Sequence, residues 1–239
     1  MRNLNSIAEV ALDLPSEFLP FEILLAEGIE DLSSTAKLRK LAYQRHLPDF
    51  SSTLSDDLDP TDTHPSMAVL NAYSKLDKTL LASVRIQVSH SEPLILEQSF
   101  ALPQALRKGR IAEISRLVIQ AKGESLMLRL MLIKACYWYC RFQAVDNAFL
   151  CARHPVDRQY RRFELKDVLP NQGTVEMAHI GNIPHRVLWF NVLGLESDWR
   201  VSGNATYPLF FEKSHPDILS DVQIKTLQNE SSHFVHHSA

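Results

Sequence analysis

The chain has 239 residues, 45% hydrophobic and 22% charged, which is the composition of an ordinary folded domain rather than of a fibrous or disordered chain. Its 25 basic and 28 acidic residues leave a net charge of -3, which excludes an undirected affinity for nucleic acid or anionic lipid. Cys136, Cys140 and Cys151 all sit in apolar surroundings and read as small core hydrophobes of a reducing cytoplasm. Cys136 and Cys140 share a helix face, but no further ligands follow at usable spacing, so no metal is expected.

The opening stretch "MRNLNSIAEVALDLPSEFLP" places acids and a proline where a signal peptide needs an apolar block, and it predicts no secretion address. "FLPFEILLAE" (18–27) predicts a first strand, and "SSTAKLRKLAYQRH" (33–46) an amphipathic helix capped by Ser33 or Ser34. "LPDFSSTLSDDLDPTDTHPS" has the Ser, Asp and Pro content of a long irregular loop, of the kind that covers something. "MAVLNAYS" and "TLLASVRIQV", joined through "KLDK", predict an antiparallel pair.

A less regular stretch, residues 94–110, leads to the strand "IAEISRLVI". The pattern then alternates: a helix over 125–142, a strand over 147–153, a helix over 156–166, and two last strands, "TVEMAHIG" and "HRVLWFNVL". The helix over 125–142 carries Arg129 and Lys134 and is shorter than the roughly 20 apolar residues of a membrane span, so it predicts a buried helix. These elements predict an α/β (α+β) domain over residues 1–212, with a mostly antiparallel sheet flanked by helices. Residues 213–239 read as a polar, histidine-bearing tail.

Four constellations carry chemistry. Gln120, Lys122, Gly123, Glu124 and Ser125 lie in "QAKGES", between an apolar strand and a helix. There, unpaired N–H groups and a glycine suit an anion, although such a cap also opens many helices that bind nothing. Glu113, Ser115 and Arg116 interrupt the preceding strand. Alternation puts the first two on one face and Arg116 on the other unless a bulge intervenes, so the trio either pairs within the core or lines a site. Arg85 on the neighbouring strand and Asp56, Asp57 or Asp59 of the loop are its candidate partners. Arg39 and Tyr43 share one face of the first helix. Tyr160, among Arg158, Arg161 and Arg162, is either core or a proton donor aimed at a cleft.

Strand, "QAKGES" and apolar helix together resemble the acyl-carrier-binding segment of the GNAT acyltransferase superfamily, R/Q-x-x-G-x-G/A, with Ser125 in the last place. "YRRFEL" (160–165) resembles its Y-x-x-x-G-F, with Glu164 in place of glycine. "KLRKLAYQRH", "SDDLDPTD", "LLASVRIQV" and "EISRL" are similar, in order and spacing, to the branch that contains acyl-homoserine-lactone synthases and long-chain N-acyl amino acid synthases. A tryptophan that the lactone synthases carry after the first helix is replaced by Pro48 or Asp49, which favours the N-acyl amino acid side.

The resemblance implies a partly splayed GNAT-like sheet and acyl transfer from a carrier-protein or coenzyme A thioester to the amine of an amino acid. The thioester is then a co-substrate, and no cofactor is bound permanently. It implies catalytic roles for Glu113, Ser115, Arg116, Arg85 and Tyr160, with Glu113 as proton acceptor and Tyr160 as acid. It implies acceptor contacts at Arg39, Tyr43, Asp56, Asp59 and Phe100, and donor contacts at Leu117, Val118, Ile119, Gln120, Lys122, Gly123, Glu124 and Ser125. An acidic carrier protein would dock on residues 107–110 and on Arg153, Arg158, Arg161 and Arg162. The helix over 125–142 and the strands near Trp189 would wall an acyl tunnel. The rival readings are a lactone synthase that consumes S-adenosylmethionine and a non-catalytic module that binds acyl carriers.

Overall fold

Alternating apolar residues place one mixed sheet at the centre of the chain. The computed structural model describes residues 14–120 and 125–220, together with residues 223, 224 and 227. Among them β1 (Phe21–Leu25), β2 (Met67–Ser74), β3 (Leu80–Ser89), β4 (Ile111–Ile119), β5 (Asn147–Ala152), β6 (Lys166–Asp167), β7 (Val175–Met177) and β8 (Ile183–Asn191) form a sheet in the order β1-β2-β3-β4-β5-β8-β6, with β7 on β8. Every pairing is antiparallel except β4 with β5.

The helices are α1 (Gly28–Gln44), α2 (Pro48–Ser52), α3 (Ser125–Phe142), α4 (Asp157–Arg162), α5 (Leu195–Ser202) and α6 (Tyr207–Phe211). None of the described helices is long and apolar enough to cross a membrane. On one sheet face, Leu128, Met131, Leu132, Ala135 and Cys136 of α3 recur at helical spacing and join Ala82, Val84, Ile86, Ala112 and Ile114 in the main core. The opposite face is covered by α1 and by the segments around residues 94–106 and 168–180. There Leu94, Leu96, Ile111, Phe149 and Met177 make a second apolar cluster. Truncating one buried Leu or Met of α3 to Ala would cost about 2–5 kcal/mol.

Several boundaries differ from the sequence reading. The first helix begins at Gly28, because Asp31 Oδ2 accepts from the Glu27 N–H at 2.8 Å and caps a turn that carries no apolar stripe. The long loop holds α2 and a 3-10 turn, Pro60–Thr63, which starts where Asp59 Oδ1 accepts from the Thr61 N–H at 3.0 Å. The helix expected over 156–166 stops at Arg162. Two residues on, Glu164 takes a φ of +58°, the left-handed turn for which the resembled motif has glycine.

Residues 214–219, at the start of the expected tail, lie along β1. Ile23 N–H donates to Asp217 O at 2.7 Å and Leu219 N–H to Ile23 O at 2.8 Å. Ile218 and Leu219 are buried there. Lys134, buried on α3, secures this segment: its Nζ lies 2.9 Å from Leu209 O, 2.8 Å from Lys213 O and 2.8 Å from His215 Nδ1.

Candidate active site

The two parallel strands part company early. β4 pairs with β5 only from Ile111↔Asn147 to Ile114↔Leu150, so residues 115–119 of β4 have no strand partner on that side among the described residues. An unpaired strand edge must find other donors and acceptors or meet solvent. Here it borders a pocket, lined by Glu113 to Leu117 of β4, by Leu150 to Arg153, and by Tyr43, Val156, Tyr160, His179 and His185.

The trio of β4 reaches this pocket through a bulge. Arg85 faces Ser115 and Ser83 faces Val118, so β4 carries an extra residue against β3. Arg116 takes a φ of +57° there. A bulge re-aims the side chains after it. Ala112 and Ile114 face the main core before it, and Leu117 and Ile119 pack toward that core after it. The bulge was the stated exception to strict alternation, and it lets Glu113, Ser115 and Arg116 all line the same pocket.

Glu113 is 1% exposed, and its Oε2 accepts from the Leu96 N–H at 2.7 Å. Burial pushes its carboxyl up to about 7, against the Leu96 N–H and the charges of Arg85 and Arg116, which lower it. Tyr160 is buried on α4, and burial pushes its phenol up to about 12, so it holds its proton at neutral pH. Burial also holds the Cys151 thiol, in the pocket wall, well above its ordinary value, with the charge of Glu113 adding to the effect.

Arg85 does not line the pocket. Its Nε donates to Asp62 Oδ1 at 2.6 Å, and its Nη2 donates to Asp59. Arg39 Nη1 donates to Asp62 Oδ2 at 2.5 Å. Two arginines and two aspartates thus close a buried network one layer behind the pocket. Burial works against the Arg85 charge, yet Asp62 and Asp59 outweigh it and raise its pKa. Burial first, with Arg85 and Arg116 nearby, draws Arg39 down to about 10 although Asp62 opposes this. Arg116, by contrast, has no acidic partner among the described residues. Its guanidinium lies 5.8 Å from the Tyr43 ring centre and 4.9 Å from that of Phe50, and its Nη1 is buried without a hydrogen bond.

The structure therefore brings together Glu113, Ser115, Arg116, Leu117, Tyr43 and Tyr160 at the pocket, with Arg39, Arg85 and Asp59 behind them. Other candidates lie elsewhere. Asp56 is exposed and pairs with Lys40 at 2.6 Å, and Asp57 is exposed. Phe100, within the 94–106 segment, packs against the second apolar cluster. Val118 is buried, and Gln120 N–H donates to Leu81 O at 2.7 Å. Lys122, Gly123, Glu124 and the Ser125 side chain lie outside the described residues.

Three residues were missed. Asp62 stands in the quoted "SDDLDPTD", three places after Asp59, a spacing that aligns side chains in a 3-10 turn. His179 and His185, from the 3-10 turn Ala178–Ile180 and from β8, carry no sequence signal that distinguishes them from surface histidines.

The family model described as N-acyl amino acid synthase FeeM matches residues 34–173. No curated protein matches the sequence. The fold is similar to that of FeeM, an N-acyl amino acid synthase from uncultured soil microbes, at 11% identity over 74% of this chain and 93% of that one, with a TM-score of 0.60. It is also similar to BjaI, a CoA-dependent acyl-homoserine lactone synthase solved with SAM and isopentyl-CoA, at 15% identity over 87% of this chain and 99% of that one, with a TM-score of 0.54.

Proposed function

The chain belongs to the FeeM N-acyl amino acid synthase family, an N-acyltransferase with the GNAT-like fold, and on that premise we propose that it moves a long-chain acyl group from a carrier-protein or coenzyme A thioester to the amine of an amino acid. The observation that carries this reading is the pocket in the parted sheet. It sets a buried carboxylate, a free guanidinium and a protonated phenol beside the open edge of β4.

The thioester arm lies along that edge, where backbone N–H groups of residues 117–119 hold it and polarise its carbonyl. The amine nitrogen attacks the carbonyl carbon and Glu113 takes its proton, directly or through one water. A carboxyl with a pKa of about 7 is about half ionised at neutrality and is a stronger base than an exposed one. The C–N bond forms, the C–S bond breaks, and Tyr160 gives its proton to the departing thiolate. Proton balance is restored when Tyr160 is reprotonated through solvent as Glu113 releases its proton.

Ile114, Leu117, Leu150, Val156 and Ile180 give the pocket its apolar wall, suited to the first carbons of an acyl chain. Exposed Arg158, Arg161 and Arg162 share α4 with Tyr160 of the pocket lining, and an acidic carrier protein would dock on them. Unpaired cysteines fit a cytoplasmic location.

The test is to mix purified protein with long-chain acyl coenzyme A or acyl carrier protein and an amino acid mixture, then follow free thiol and N-acyl amino acid by mass spectrometry. Release of both supports the reading. No product with any donor or acceptor overturns it, and product formed only with consumption of S-adenosylmethionine makes the chain a lactone synthase.

A further inference from the structure

Two polar atoms in the pocket have nothing to bind. Arg116 Nη1 and His179 Nδ1 are both buried, and neither has a hydrogen-bond partner among the described residues. Their residues come from different segments of the lining, Arg116 from the bulge of β4 and His179 from the 3-10 turn after β7. Both line the same pocket, and burial first, with the charge of Arg116 adding to it, holds the imidazole neutral. A buried donor left unpaired costs about 1–3 kcal/mol, and more when charged, so such a pair marks a place for a ligand.

The charges around the pair give the sign of that ligand. Arg116 and Arg153 are the cations of the pocket lining, and Glu113 is its one acid. The other guanidinium groups nearby, Arg39 and Arg85, are held by Asp59 and Asp62 behind the wall. The site therefore has positive charge and donors to spare.

Resting on the reading of this pocket as the N-acyl transfer site, we propose that Arg116 and His179 together form the subsite for the carboxylate of the acceptor. Arg116 Nη1 donates to one oxygen, and His179, in the tautomer with its hydrogen on Nδ1, donates to the other. Glu113, along β4 from Arg116, is then left to meet the amine. The arrangement selects an acceptor that carries amine and carboxylate close together, and it rejects polyamines, which would set a second cation against Arg116, and simple alkylamines, which would leave Arg116 unpaired. His179 is the specificity-determining member, since it touches the acceptor and not the reacting carbon.

The experiment compares amino acids with the amines left by their decarboxylation, leucine with isoamylamine and phenylalanine with phenethylamine, in wild type, His179→Ala and His179→Asn. Asparagine places an amide N–H near the position of Nδ1. In His179→Ala the ratio of kcat/KM for amino acid over amine falls about 10- to 100-fold, the loss of one hydrogen bond to a charged group, and in His179→Asn most of it returns. Calorimetry with N-dodecanoyl-leucine and N-dodecanoyl-isoamylamine reads the same preference without turnover.

An unchanged ratio in His179→Ala overturns the subsite while leaving the transferase reading intact. A raised KM for the acyl thioester with an unchanged acceptor ratio also overturns it, and gives the anion site to the donor's phosphates. No turnover by the wild type with any acceptor, and no binding of either product, removes the transferase reading and this inference together. Thermal unfolding of both variants separates a lost contact from a lost fold.

Discussion

Asp62 joins Arg39 to Arg85, accepting from Arg39 Nη1 at 2.5 Å through one oxygen and from Arg85 Nε at 2.6 Å through the other. Its side chain is fully buried, so the two guanidinium groups have no solvent to fall back on. Asp62→Asn leaves the shape and removes the charge, and it should destabilise the chain by about 3–5 kcal/mol, the cost of stranding a buried charge. Asp56→Asn, at the exposed pair with Lys40, should change stability by less than about 1 kcal/mol. Urea unfolding of the two variants makes the comparison.

Glu113 ties activity to pH. The proposed reaction needs its base form, so kcat/KM should rise through a pH of about 7, and Glu113→Gln should lower turnover about tenfold or more at pH 8. Stability runs the other way. The pKa is raised in the folded chain from 4.5 to about 7, so the contribution of this group is complete below pH 4.5 and is lost as pH rises through about 7. The loss is on the order of 3 kcal/mol. Relative to wild type, Glu113→Gln should therefore gain stability between pH 4 and pH 8. A flat difference in melting temperature across that range would contradict this.

Tyr160 is assigned to the leaving thiolate, and the assignment separates from plain packing by the choice of donor. Tyr160→Phe should slow transfer from an alkyl thioester about tenfold to a hundredfold. The same variant should lose much less with an aryl thioester, whose thiolate leaves without a proton. Equal losses with both donors would make Tyr160 a wall residue.

Arg116 holds a left-handed backbone that costs a non-glycine residue roughly 1–2 kcal/mol. Arg116→Gly relieves that cost and gives up the contact with the Phe50 ring at 4.9 Å, worth about 0.5–1 kcal/mol. The melting temperature should stay within a few degrees of wild type while KM for the acceptor rises strongly.

Lys134→Leu should destabilise the chain without touching the pocket. Leu209 O and Lys213 O each lose a donor, at about 1–3 kcal/mol for every acceptor left buried and unpaired. Hydrogen exchange should show residues 213–219 opening first.

Much of this site was legible because chemistry interrupts pattern. A glutamate and an arginine inside "IAEISRLVI" break an apolar strand, and the break marked Glu113, Ser115 and Arg116. Asp62 was legible in principle, since Asp59 caps one 3-10 turn and Asp62 lies within it, but four acids in "SDDLDPTD" hid which of them are buried. The bulge was not readable, because Ser115 fits either face and the apolar run Leu117, Val118 and Ile119 satisfies either alternation. His179 was invisible for another reason: the turn Ala178–Ile180 is tied down by the bond from the Ala178 N–H to Ser99 Oγ, a contact that spans 79 residues of sequence.

The extra residue at Arg116 makes β4 two half-strands of opposite parity, spliced at one point. The first half answers to the packing of the sheet, and the second to whatever enters the cleft. Deleting Arg116 would iron out the bulge and leave Leu117 and Ile119 turned to the core, taking only the bulge's own side chain from the cleft, whereas straightening the strand with Arg116 kept would turn Leu117 and Ile119 outward and Val118 inward while leaving the N-terminal half in place. Substrate preference can thus drift along the second half of this strand without reopening the architecture that the first half secures.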